Sequence, residues 1–341
     1  MIVANSGTYA SYEQSGLQNV EFTTSPNAQG TILQAWIEAN ASSTSTHTIY
    51  WVKLPNGIGA SSSITIYMNF MPSSVMSSSG PTGEAPQLSS TYGEYDDGAS
   101  VFLAYFNGDT PTSDFTVTSG FTLAQATGVT MPNGNTGNVI HITGYNTYPA
   151  GDIPFVFNTG YPMQASIIEE SARLAGNTPT AQGMAGVLTS TTITSASGIG
   201  VTMGWASSYF SQEYESSGSV TTDLNQQGSA TTSWVYSGVT FAGISSASWS
   251  GYIAPQLYST SGGYSGTVTT QPITSGTNLY LSNLGSAGSS SYPYNEYINW
   301  ERARASPPNG VMPTVSFGSV SVISYQISFY QTSLPSSAEW G

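Results

Sequence analysis

Short runs of alternating apolar and polar residues recur along this chain, separated by clusters of Gly, Pro, Asn and Ser. The clearest lie at 48–54, 63–70, 139–143, 162–170, 200–207, 233–241, 251–259, 265–271 and 314–322, and they are rich in β-branched and aromatic residues. A period of two puts one face of a strand in a core and the other toward water. Helical periodicity with capping residues is nearly absent. Residues 167–175 come nearest to it, yet their place within a series of strands makes a strand the expectation there. Many strands at close spacing with turn residues between them predict sandwiches or jelly rolls and not a parallel α/β sheet.

The pattern changes once. A Ser/Gly/Pro-rich connection at 71–86 leads into the acidic-aromatic stretch 92–98. We expect an all-β protein of two domains, a small β-sandwich over 1–98 and a larger two-sheet jelly roll over 99–319, followed by a C-terminal strand and tail at 320–341.

Composition narrows the function. Of 341 residues only 6% are charged, and 18 Asp and Glu oppose four basic residues, for a net charge of −14. Lys53, Arg173, Arg302 and Arg304 are too few to neutralise a nucleic-acid backbone or hold anionic lipid. With no Cys there are no disulfides, thiolate metal sites or Cys nucleophile. No apolar run approaches the ~18–20 residues of a membrane-spanning helix, and neither a signal peptide nor a pilin-like N-terminal helix is visible. A surface this poor in charge suits a harsh, acidic exterior. If the carboxylates are solvated, folding should hardly depend on pH between about 2 and 7.

Three segments resemble a known family. Trp51-Val-Lys-Leu-Pro55 with Ser61-Ser-Ser-Ile-Thr-Ile-Tyr-Met-Asn-Phe70 is similar to a domain of unknown function in archaeal and some bacterial surface proteins. Gly83-Glu-Ala-Pro-Gln-Leu88 and Tyr92-Gly-Glu-Tyr-Asp-Asp-Gly-Ala-Ser-Val-Phe102 resemble the end of that domain. Asn299-Trp-Glu-Arg-Ala-Arg304 and Pro307-Pro-Asn-Gly-Val-Met-Pro-Thr-Val-Ser-Phe-Gly318 look like the close of the concanavalin/laminin-G-like lectin module that follows it. The resemblance implies an extracellular protein with a lectin-like second domain and a structural, adhesive or sugar-binding role. It supplies no active site.

Candidate chemistry is sparse. Sandwich glucanases use E-x-D-x-x-E, since alternate residues of a strand share a face. Glu94-Tyr-Asp96 begins that pattern, but Ala99 stands where the last carboxylate belongs; Glu213-Tyr-Glu215 has no third member, and Glu169-Glu170 would face opposite ways. We therefore expect no enzyme, with a sandwich-fold glycosidase as the enzymatic alternative. No G-x-S-x-G elbow accompanies His47 or His141, read as a solvated and a core histidine. No cofactor is expected, although Glu94, Asp96, Asp97 and Asp109 could ligate Ca²⁺. Trp205, Tyr209, Tyr214, Trp234, Trp249 and Tyr252, amid Ser, Thr, Asn and Gln, are the aromatic platforms a glycan would need. Asn40-Ala-Ser42 is an N-glycosylation acceptor.

The expected partners are glycans or other copies of the chain. Residues 320–331 alternate apolar and polar side chains, so this strand pairs within its own subunit, fills a neighbour's open edge to build a filament or a ring, or frays as a tail. The settings weighed are a cell-surface adhesin and a virion surface or spike protein of an archaeal virus.

Overall fold

The computed structural model describes residues 1–26, 30–39, 42–56, 58–59, 62–72, 101–132, 136–145, 153–175, 181–204, 209–216, 219–227, 232–257, 263–285, 293–307 and 314–320. Within them the chain is nearly all strand. Only single turns of 3₁₀-helix interrupt it, at Ser6–Thr8, Thr112–Asp114 and Ile193–Ser195. No helix is long and apolar enough to cross a membrane.

Near the N-terminus, β1 (Ile2–Ala4), β2 (Val20–Thr23), β3 (Ala35–Ala39), β4 (Thr48–Val52) and β5 (Tyr67–Phe70) form two small antiparallel sheets, ordered β1-β4-β3 and β2-β5. Ile2, Ala4, Phe22, Ile37 and Tyr50 are buried between them, with Met68 and Phe70 packed alongside. This is a small sandwich.

Next come β6 (Phe102–Asn107), β7 (Phe115–Val117), β8 (Phe121–Thr130), β9 (Thr136–Gly144), β10 (Phe155–Phe157), β11 (Tyr161–Pro162) and β12 (Ser166–Leu174). They are followed by β13 (Ala181–Leu188), β14 (Ser197–Gly204), β15 (Tyr209–Ser216), β16 (Ser219–Gln227) and β17 (Val235–Phe241). The last are β18 (Trp249–Ala254), β19 (Tyr264–Val268), β20 (Asn278–Leu284) and β21 (Tyr294–Ala305). A six-stranded sheet, β11-β20-β13-β14-β15-β16, faces an eight-stranded one, β19-β18-β17-β12-β21-β9-β8 with β6 also paired to β21. One apolar core joins them, with Ile168, Val239, Phe241 and Trp249 on the eight-stranded side and Val187, Ile199, Val201 and Leu281 on the other. At ~1.5–3 kcal/mol for each fully buried large apolar side chain, this interlayer core dominates the stability of the fold.

The segment with helix-like spacing is strand β12. The expected strand at 314–322 is not formed in its described part. Residues 314–320 pair with no strand and are exposed; Phe317 instead rests near Tyr9, with ring centroids 6.1 Å apart. The boundary expected at 98/99 and the C-terminal strand at 321–331 lie outside the described residues, as does Asn40.

Candidate functional site

Strands β12 and β21 lie side by side in the eight-stranded sheet and organise its chemistry. Alternation sends Glu170, Glu301, Glu296 and Tyr294 into the interlayer, and Glu169, Arg173, Arg302 and Arg304 to the outer face.

The inner set is an acid cluster sealed from water. Glu170, Glu296 and Glu301 are each 0% exposed. Ser237 donates to Glu170 at 3.0 Å, and Asn283 Nδ2 donates to Glu296 at 2.8 Å. The Tyr294 hydroxyl lies 2.5 Å from the Gly183 carbonyl and 2.6 Å from Glu296 Oε2. One phenolic hydrogen cannot serve both acceptors, so the arrangement closes with Glu296 protonated and donating to the tyrosine oxygen. Burial accordingly pushes Glu170 up to about 8. Burial, and then the neighbouring Glu170, raises Glu296 and Glu301 well above the ordinary carboxylate range. These are neutral core acids at neutral pH.

The outer set is ionic. Arg302 Nε and Nη2 donate to Glu169 Oε2 at 2.9 and 2.8 Å, and Arg304 Nη2 donates to Oε1 at 2.8 Å. Burial alone would raise Glu169, but the two guanidiniums, as charges and as donors, outweigh it and hold this carboxyl below its usual value. The N-terminal sandwich closes over the arginines. Arg302 pairs with Glu38 of β3, whose carboxylate also accepts from Trp51 Nε1 at 2.6 Å. Trp51 packs edge-on to Phe102 at 4.8 Å, and the Arg302 guanidinium lies over the rings of Trp51, Phe102 and Trp300. His47 adds a second contact between the two sandwiches, its Nε2 being 3.2 Å from the Leu257 carbonyl oxygen. The expected indifference to pH is corrected here, because the buried Glu169, Glu170, Glu296 and Glu301 do not behave as solvated acids.

Four residues further along β12, the outer face carries a row of side chains in direct register. Arg173 of β12 is opposite Tyr297 of β21, Tyr297 is opposite His141 of β9, and His141 is opposite Ala124 of β8. Trp234, just before β17, extends the row on the other side: the Arg173 guanidinium lies 5.4 Å from its ring centroid and 5.0 Å from that of Tyr297. His141 packs on Tyr297 at 4.5 Å, and its Nε2 is 2.9 Å from Asn295 Oδ1. Trp234, Arg173, Tyr297, His141 and Asn295 are all half-buried. His141 is therefore not the core residue expected from its strand pattern; it points to the outer face.

Of the other expected glycan platforms, Trp249 is a correction. It is 2% exposed within the interlayer core, with Nε1 donating to the Thr270 carbonyl at 2.9 Å. Trp249 opens β18 on its inward face, and its ring is enclosed by the interlayer core. Tyr252 is half-buried on the outer face, and a Cβ on the facing Gly238 would lie 2.5 Å from its ring. Tyr214 packs against the core from the six-stranded sheet. Tyr209 opens β15, and Trp205 lies outside the described residues. Among the described side chains of that set, Trp234 is the one that belongs to the row.

Glu94, Asp96 and Asp97 lie outside the described residues. Asp109 is exposed and occupied in a turn, its carboxylate accepting from Asn138 Nδ2 at 2.7 Å and its N–H donating to Asn107 Oδ1 at 2.9 Å. Among the described residues no group of three or more His, Asp or Glu is arranged to hold a metal ion.

One relative is viral. "Uncharacterized protein 562" of Sulfolobus islandicus rod-shaped virus 1 is 44% identical over 305 residues, which cover 88% of this chain and 52% of that protein. The chain thus spans about half the length of that relative. No family model matches. Among solved structures, the chain is similar to a Bauhinia forficata lectin in complex with GalNAc (12% identity, 59% of this chain and 97% of that one, TM-score 0.35). It is also similar to a Bacillus licheniformis β-glucanase (13% identity, 60% and 98%, TM-score 0.34). A carbohydrate esterase from a Shiga toxin-encoding bacteriophage gives 12% identity, 60% and 99%, with a TM-score of 0.37. Similarity at this level says nothing about chemistry, and the fold rests on the strand order given above.

Proposed function

We propose that this chain is a non-enzymatic, glycan-binding protein of a virion exterior. The observation that carries the reading is the half-buried row Trp234–Arg173–Tyr297–His141, which places two aromatic rings beside hydrogen-bonding groups on the outer face of the sheet. Aromatic faces stack on the apolar C–H face of a pyranose while polar neighbours take its hydroxyls. The viral relative supports the setting. Against catalysis, the clustered carboxyls on β12 and β21 are either sealed in the interlayer or tied to two arginines, where no glycosidic bond can reach them.

A polysaccharide and glycan panel tests this. Binding that Trp234→Ala or Tyr297→Ala weakens about tenfold or more, without turnover, is the expected result. Turnover abolished by Glu94→Gln would replace the reading with the glycosidase.

A further inference from the structure

Arg173 is an uncommitted cation in a chain that has few. Arg302 and Arg304 are consumed by Glu169 and Glu38. Among the described residues no carboxylate pairs with Arg173, and its buried Nε–H has no acceptor. The chain holds 18 Asp and Glu against four Lys and Arg, so a guanidinium left without an acidic partner stands out from its surroundings. Its neighbours are of another kind. Trp234 and Tyr297 hold it from two sides, and their faces fix its plane while competing for none of its hydrogens.

From this geometry we infer that the row binds an acidic sugar, a glycan carrying a carboxylate or a sulfate, with Arg173 as the anion-recognising group. The inference rests on the glycan-binding reading above and names its ligand class. A guanidinium presents a planar fork of donors that matches the paired oxygens of either anion, and charge-assisted bonds of this type are the strong ones. The aromatic rings exclude water around it, which strengthens the contact further. His141 and Asn295, already joined at 2.9 Å, stand at the Tyr297 end of the row and can take the hydroxyls of the same residue or the next. Strands ~4.8 Å apart make the span from Trp234 to His141 about three strand spacings, enough for more than one pyranose.

The test is titration calorimetry on the whole chain at fixed ionic strength with tetragalacturonate, a sulfated oligosaccharide of the same length and a neutral maltotetraose. The expected result is that at least one acidic ligand binds ten or more times tighter than the neutral one. Arg173→Gln should then lose ~10–100-fold for the acidic ligand and little for the neutral one. Lys53→Gln, which removes an exposed cation on β4's trailing loop, should lose nothing. The uronate and sulfate arms distinguish the two anions. Equal binding of acidic and neutral sugars, unchanged in Arg173→Gln, would overturn the inference and leave glycan binding standing. No binding of any of the three would overturn both. Should Arg173→Gln lower the melting temperature, the wild-type chain still decides: His141 ring signals in NMR must shift on adding the acidic ligand, and silence there counts against the site.

Discussion

Glu169 and Glu170 are adjacent in β12, yet the first lies between two arginines on the outer face and the second among protonated acids in the interlayer. Neighbouring carboxyls thus respond to protons in opposite senses. Glu170, Glu296 and Glu301 have folded-state values above their unfolded ones, Glu170's at about 8, so above about 4.5 the folded state binds more protons than the unfolded chain. Their contribution is fully present in acid and is lost as pH rises, for Glu170 between about 4.5 and about 8. Glu169 has a lowered value, so its contribution is present above about 4.5 and lost as pH falls further. Stability should peak near pH ~4–5 and decline on both sides, by several °C in melting temperature toward pH 8. Thermal melts across pH 2–9 check this. Glu170→Gln should flatten the alkaline limb and Glu169→Gln the acid one.

Arg302 is the pin between the two sandwiches. Arg302→Met leaves Glu38 buried without its cation and Glu169 with Arg304 alone, a change of ~3–5 kcal/mol for a broken buried pair. Urea unfolding should register that loss. A Trp51→Ala/Arg302→Met cycle should show coupling, since the ring and the guanidinium are stacked.

The two tryptophans flanking β17 should separate stability from binding. Trp249→Ala empties a core position and should cost ~3–5 kcal/mol. Trp234→Ala removes a half-buried ring and should cost ~1 kcal/mol or less while abolishing most sugar affinity. Equilibrium denaturation paired with the glycan titration reads both.

Gly144 closes β9 at φ +129°, and a Cβ there would lie 2.2 Å from the Gly120 carbonyl oxygen. Both the dihedral and the contact oppose a side chain. Gly144→Ala should destabilise by ~1–3 kcal/mol, measurable by chemical denaturation.

Much of the β architecture was legible because its strands alternate. β4, β9, β12, β17, β18 and β19 overlap runs read from periodicity alone, and the opposite faces of Glu169 and Glu170 followed from the same rule. Strands β16 (Ser-Val-Thr-Thr-Asp-Leu-Asn-Gln-Gln) and β13 (Ala-Gln-Gly-Met-Ala-Gly-Val-Leu) were missed, because polar and small residues give no alternation and only their pairing partners hold them extended. The site was harder to see. Burial of charge depends on partners far away in sequence: Glu169 meets Arg304 across 135 positions, and no local pattern reports that. One signal was available in Trp300-x-Arg302-x-Arg304, which places two of the chain's four Lys and Arg residues on a single strand face. Proximity in sequence does not report proximity in space for the aromatics: Trp234 meets Arg173 of β12 and the Thr130 carbonyl of β8, while Trp249 is buried in the interlayer core.

The placement of β21 sets the order in which this protein can be made. Among the described strands it is the last in sequence, at 294–305, yet it pairs with β12, β9 and β6, the last of which begins at residue 102. During synthesis those three strands, beginning at residues 102, 136 and 166, leave the ribosome well over a hundred residues before their shared partner begins at 294. Until it arrives, Glu169 has no cation, the acid cluster has no Glu296 or Glu301, and three backbone edges stay open. Such long-range closure makes for slow folding. The sandwich is therefore completed late, in one step, and a nascent chain interrupted before residue 294 is a species prone to aggregate.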